Sequence, residues 1–124
     1  VAITPVATSS KILVFFSVNG SGDANYAFNI QIMRETTAIG IGDAASNRMR
    51  TTVHLQADTF NTDLRTMTSM YLDSPSSTSA TTYKLQGAVE NTSNPLYINR
   101  SAADADSTYV GRTMSQITVM EVLA

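Results

Sequence analysis

Short stretches in which apolar and polar residues alternate recur along most of the chain. In the clearest one, residues 26–34, large apolar side chains occupy every second position: Tyr26, Phe28, Ile30 and Ile32. The positions between them carry small or neutral polar side chains: Ala27, Asn29 and Gln31. Because successive side chains of a β-strand point to opposite sides of the sheet, this period of two predicts a half-buried strand.

Other segments repeat this pattern with weaker contrast. Residues 11–18 are apolar on both faces, which predicts a central strand buried on two sides. The turn-like residues 19–23 (NGSGD) follow, so residues 11–18 and 26–34 are predicted to pair as a hairpin. The remaining candidate strands are residues 36–41, 51–57, 65–72, 81–89, 96–100 and 115–123.

About eight short strands and no long amphipathic helix predict a single all-β domain over residues 1–124. Residues 43–50 and 73–80 are predicted to be loops, the second because it is rich in Pro and Ser. Regular short strands of this kind favour an antiparallel β-sandwich or barrel. If the fold is an eight-stranded jelly roll, the first and last strong strands pair in the middle of one sheet.

The composition excludes several classes of function. Charged residues make up 15% of the chain, whereas Ser and Thr account for 31 of its 124 residues. A net charge of −2 leaves no basic surface for nucleic acid or anionic lipid. The absence of Cys and the single His exclude disulfides, thiolate zinc sites and polyhistidine metal sites. No run of 18 apolar residues predicts membrane insertion. We therefore expect a protein that works through contacts and needs no cofactor.

The search for catalytic groups gives no site. His54, the sole imidazole, lies in a predicted strand with its side chain outward, and no Gly-x-Ser-x-Gly motif accompanies it. Two carboxylate pairs are present, Asp58 with Asp63 and Asp104 with Asp106. Such pairs could serve glycoside hydrolysis only across a cleft, and a calcium site would need more oxygen ligands. We predict no catalytic residue and no metal site, so the protein is not expected to be an enzyme.

Two groups of residues are candidate contact sites. The neutral face of Ala27, Asn29 and Gln31 is a candidate subunit interface, because uncharged groups are cheaper to desolvate than charged ones. The alternative is a solvent-exposed face that happens to lack charge. Polar loops with Tyr97, Arg100 and Tyr109 nearby form a candidate receptor site, since rings, hydroxyls and guanidinium groups suit sugars.

Five segments resemble, in the same order, parts of virion fibre-like proteins of tailed bacteriophages, including phages of cyanobacteria and marine bacteria. They are residues 4–14, AIGIGDA at 38–44, YLDSPSSTSATTYKLQ at 71–86, YINRS at 97–101 and SQITVMEV at 115–122. Together they span nearly the whole chain. The family has no catalytic motif, so the resemblance transfers no catalytic residue.

The resemblance implies a jelly roll similar to tumour necrosis factor and complement C1q, which assembles as a homotrimer on the phage particle. It also implies contact with other virion proteins. The leading interpretation is a tail-fibre knob that attaches to a host-surface glycan. The first alternative is a head-fibre or cement protein that decorates the capsid. A bacterial carbohydrate-binding module and a capsule depolymerase acting through Asp104 and Asp106 are the further alternatives.

Overall fold

The chain forms a sandwich of two antiparallel β-sheets, as predicted. The computed structural model describes residues 1–23, 25–56 and 60–123, and none of these residues is helical. These described residues form nine strands: β1 (Ala2–Ile3), β2 (Lys11–Ser21), β3 (Ala27–Arg34), β4 (Thr37–Ile39), β5 (Val53–Gln56), β6 (Arg65–Asp73), β7 (Thr81–Val89), β8 (Tyr97–Ile98) and β9 (Gln116–Val122). Residues 43–50 and 74–80 contain no strand, in agreement with their prediction as loops.

Each sheet is built around one long strand. In the five-stranded sheet β3 pairs with β7 on one side, and with β4 and β5 on the other, while β1 extends the sheet beyond β7. In the four-stranded sheet β2 pairs with β6 on one side, and with β8 and β9 on the other. The pairing of β2 with β9 brings the first and last long strands together, as predicted, although among the described strands β9 pairs with β2 alone and so lies at the edge of the sheet and not in its middle.

The core lies between the two sheets and is made by the inward faces of β2 and β3. The fully or nearly fully buried side chains of these strands are aliphatic or aromatic: Ile12, Val14, Phe16, Val18, Phe28, Ile30 and Ile32. Tyr26, which shares their predicted face, precedes β3 and is 37% exposed. The outward residues of β2 are only half-buried, so the prediction of burial on both faces is wrong for this strand.

The predicted hairpin is also wrong, because β2 and β3 lie in different sheets. The Asn-Gly dipeptide read as a turn belongs to β2, where Gly20 pairs with Arg65 on one side and Ile98 on the other. A Cβ atom on Gly20 would lie 2.9 Å from the carbonyl oxygen of Tyr97. Glycine is therefore needed here for the close approach of β8, and the chain crosses to the other sheet after Ser21.

A buried polar cluster connects the two sheets. Arg34 of β3 donates from Nη1 to both carboxylate oxygens of Asp73, at 2.9 and 3.0 Å. The Tyr83 hydroxyl of β7 donates to Asp73 Oδ2 at 2.6 Å, and both Tyr83 and Asp73 are buried. Asp73, predicted to lie in a loop, is the last residue of β6. The cluster thus joins the end of the four-stranded sheet to the two central strands of the other.

This cluster predicts a dependence of stability on alkaline pH. Burial, together with the hydrogen bond to Asp73, raises the pKa of Tyr83 well above its ordinary value. A pKa higher in the folded than in the unfolded chain gives stability that is present below about pH 10 and is lost as pH rises further. In the unmodified protein the free energy of unfolding should fall by about 1.4 kcal/mol per pH unit in this range, and in Tyr83→Phe this fall should be absent. Urea unfolding between pH 9 and 11 measures both.

The matched control is Tyr109→Phe, because the Tyr109 ring is exposed. This variant should keep the alkaline slope of the unmodified protein. If Tyr83→Phe and Tyr109→Phe show the same slope, Tyr83 does not cause the loss of stability.

Candidate functional site

The outer face of the four-stranded sheet carries a contiguous apolar surface. Six side chains make it, two from each of three neighbouring strands: Leu13, Phe15, Met70, Leu72, Met120 and Val122. We call this surface the Met/Leu face. Met70 is 66% exposed and Met120 is 52% exposed. Contiguous exposed apolar surfaces of this kind mark sites of association in soluble proteins.

The rest of this outer face is uncharged except at one end. Beyond Phe15 the outward positions of the three strands carry hydroxyl or amide groups: Ser17, Asn19, Thr66, Thr68, Gln116 and Thr118. The one charged end is that of the apolar half, where Lys11 begins β2 and donates from Nζ to Ser74 Oγ at 3.1 Å. The face therefore has an apolar half and a neutral polar half, and the outward positions of β2, β6 and β9 that the structure describes carry no carboxylate.

A groove of about 640 Å³ lies on the other side of the sandwich, on the outer face of the five-stranded sheet. Its lining comes from β3, β5, the loop before β5 and the residue after β7: Ala27, Asn29, Arg48, Met49, Thr51, His54, Gln56 and Glu90. A volume of this size falls within the range of about 300–1,000 Å³ of small-molecule sites.

Asn29 and His54 form the floor of this groove. They face each other across the β3–β5 pair, and His54 Nδ1 lies 2.8 Å from Asn29 Oδ1. Because an amide oxygen only accepts hydrogen bonds, this contact is a hydrogen bond in the Nδ1–H tautomer of the imidazole, which presents Nε2 as an acceptor. Asn29 is 4% exposed, so its amide is fixed while its Nδ2 remains a donor.

The predicted interface residues lie at or beside this groove. Ala27 and Asn29 line it, and Gln31 donates from Nε2 to the carbonyl oxygen of Arg50 in the loop before β5. The face is thus partly occupied by the chain's own loop. The role of these three residues in a subunit interface stays a prediction.

The predicted receptor residues are only partly brought together. The guanidinium carbon of Arg100 lies 4.3 Å from the centroid of the Tyr97 ring, so Arg100 covers one face of that ring. The Asp104 carboxylate forms salt bridges with two arginines: its Oδ2 lies 3.3 Å from Nη1 of Arg100, and its Oδ1 lies 2.7 Å from Nη2 of Arg112. Tyr109 is 72% exposed and takes no part in the stack. A sugar could therefore stack on one face of Tyr97 at most.

Metal-binding and membrane-spanning features can be assessed for residues 1–23, 25–56 and 60–123. Within these ranges no group of three or more His, Asp or Glu side chains could hold a metal ion. No helix there is long and apolar enough to cross a membrane. Asp58, one of the candidate carboxylates, lies outside the described residues.

Sequence reasoning missed both the groove and the Met/Leu face. The spacing of Thr68, Met70 and Leu72 on one face of a strand was recognisable, but not that this face points away from the core. His54 was correctly placed outward, yet its partner Asn29 depends on the register between β3 and β5. No protein family, curated protein or solved structure matches this chain.

Proposed function

We propose that this protein is a non-enzymatic surface module of a tailed-bacteriophage particle, a homotrimer that attaches to the host surface. The observation that carries the assembly is the Met/Leu face, which leaves six apolar side chains on the outside of the sandwich. The phage context and the trimeric number rest on the sequence resemblance. Jelly-roll connectivity is part of the same proposal, supported by the pairing of β2 with β9.

The partner that best fits the Met/Leu face is a second copy of this chain. The chain carries a net charge of −2, so surfaces with carboxylates would repel their own copy. The described outward positions of the four-stranded sheet hold no carboxylate, so carboxylate repulsion between these positions does not oppose self-association. Strand dimensions give the Met/Leu face about 15 by 15 Å, and the whole outer face of the sheet about 30 by 15 Å, or ~450 Å² in projection. This is more than half of the ~800 Å² per partner of a standard interface.

A function in binding without catalysis also fits the hydrogen-bond and ion-pair partners of the candidate catalytic side chains. His54 is hydrogen-bonded to an amide, and Asp104 is held by two arginines. Neither arrangement resembles a nucleophile beside a base or a pair of carboxylates across a cleft.

The assembly proposal predicts that Met70→Lys abolishes the trimer. The substitution places an unpaired charge in the apolar half of the face, where its desolvation opposes association. Light scattering at micromolar concentration should give three times the 13.3 kDa chain mass for the unmodified protein and the single-chain mass for the variant.

The matched control is Met49→Lys, because Met49 is similarly exposed but lies in the groove on the other sheet. It should remain trimeric. A monomeric unmodified protein would overturn the trimer. A trimer that survives Met70→Lys but dissociates on Gln31→Lys would move the interface to the face of Ala27, Asn29 and Gln31.

The location is tested by immunogold electron microscopy of phage particles with an antibody against this protein. A few gold labels at the tail tips are expected for an attachment knob. Many labels over the head would instead show a capsid decoration protein. Absence of label from every particle would overturn the virion proposal and favour a bacterial carbohydrate-binding module.

A further inference from the structure

We infer that the groove on the five-stranded sheet binds a neutral saccharide, and that Asn29 and His54 form hydrogen bonds with one hydroxyl group of the sugar. This inference deepens the proposed attachment function, on which it rests, by assigning a ligand site and a ligand class. It places sugar recognition on a sheet face and not at Tyr97, Arg100 and Tyr109.

The first argument is the pairing of a donor and an acceptor at the groove floor. Among the described residues, the Asn29 side chain has one hydrogen-bond partner, Nδ1 of His54. Asn29 Nδ2 can therefore donate to a ligand, while Nε2 of neutral His54 can accept from it. A sugar hydroxyl both donates and accepts, so it satisfies this pair at one point, which a purely cationic or anionic group does not.

The second argument is that the pair is held in place before any ligand arrives. Asn29 lies in the middle of β3 between two buried residues, Phe28 and Ile30. The backbone positions of Asn29 and His54 are directly opposite in the β3–β5 register. A fixed site loses less conformational entropy on binding than a mobile one, which matters for weakly bound ligands such as sugars.

The third argument is the balance of charge around the groove. Arg48 and Glu90 both line it, so one positive and one negative group are present. Glu90 is already engaged, since its Oε2 accepts from the Ala27 backbone N–H at 3.1 Å. A strongly charged ligand would lie near one lining group of its own sign, which would repel it. A neutral polyhydroxylated ligand meets no such repulsion.

The remaining lining residues suit the rest of a sugar ring. Gln56 lies next to His54 on the same face of β5 and adds a second side-chain amide to the groove, whose Nε2 donates to the carbonyl oxygen of Asn25 at 3.3 Å. Met49 is half exposed and offers an apolar, polarisable surface for the C–H groups of the ring.

The test is a titration of the full chain with glucose, galactose, mannose, rhamnose and N-acetylglucosamine, followed by ¹H–¹⁵N NMR. At least one sugar should shift the side-chain amide signals of Asn29 and Gln56 in a saturable manner. His54→Ala should weaken this binding about tenfold, because one hydrogen bond and its preorganisation are lost.

Arg48→Gln and Arg112→Gln form a matched pair that separates the two candidate sites. Arg48 lines the groove, whereas Arg112 belongs to the ion-pair cluster near Tyr97 and Arg100. Weaker binding in Arg48→Gln with unchanged binding in Arg112→Gln supports the groove. The reverse result overturns it and favours the loop site. Variants are compared only if their thermal midpoints stay within a few degrees of the unmodified protein.

Two further outcomes would overturn the inference. One is the absence of saturable shifts with all five sugars. The other is binding that appears only with glucuronate, which would show that a carboxylate is required. Neither outcome affects the assembly proposal, because trimer mass and particle labelling are measured independently of sugar.

Discussion

Replacement of Phe28 by alanine is expected to lower the free energy of unfolding by about 3–5 kcal/mol. Phe28 is 1% exposed, and its strand neighbours across the sheet are Leu55 on β5 and Val89 on β7. Truncation of the ring leaves a cavity among side chains that are held by two flanking strands, so the core cannot collapse around it. Urea unfolding followed by circular dichroism measures the change, at equal chain concentration for both proteins.

Tyr26→Ala is the control for this result, because Tyr26 shares the alternation of Phe28 but lies before β3 and is exposed. Its effect should stay within about 1 kcal/mol. If the two variants unfold at the same urea concentration, Phe28 is not a core residue.

Replacement of Asp73 by alanine is expected to cost about 3 kcal/mol. The carboxylate is buried and accepts from Arg34 and Tyr83, so its removal leaves a buried hydroxyl without its partner and a charged guanidinium with only the carbonyl oxygen of Ser74, at 3.4 Å. Arg34 keeps 30% of its side chain exposed, and this partial hydration limits the loss. The measurement is urea unfolding at pH 7.

The controls for Asp73 separate burial from charge. Asp63→Ala removes the pair with Arg65, in which both side chains are about one-third exposed, and should cost no more than about 1 kcal/mol. Tyr83→Phe removes one hydrogen bond and should cost about 1 kcal/mol. An Asp73→Ala variant as stable as Asp63→Ala would show that the cluster contributes nothing to holding the sheets together.

The strands of this protein could be predicted from sequence, but their assignment to sheets could not. Alternation identified β3 and β7 because it reflects burial of one face, a property local to each strand. The Asn19-Gly20 dipeptide led to the wrong prediction of a hairpin turn, because glycine permits both a tight turn and the close approach of another strand. Which of the two applies depends on β8, where the partner of Gly20 is Ile98, 78 residues away in sequence.

For the two candidate surfaces, too, the sequence indicates which residues share a strand face but not how the strands are arranged. That Met70 and Leu72 share a strand face is visible in the sequence, but their exposure depends on which side of β6 meets the core. Asn29 was recognised as a neutral residue on the less apolar face of β3, whereas its bond to His54 arises only from register. Tyr97 and Arg100 are three residues apart, and their stacking was not anticipated because no regular helix brings them together.

The groove and the Met/Leu face lie on opposite outer sides of the sandwich. In a trimer packed through the Met/Leu faces, the three grooves therefore point away from the symmetry axis and away from one another. A flat layer of receptors could touch only one groove at a time. A long, flexible polymer could pass from one groove to the next around the outside of the trimer, so avidity would grow with the length of the polysaccharide chain.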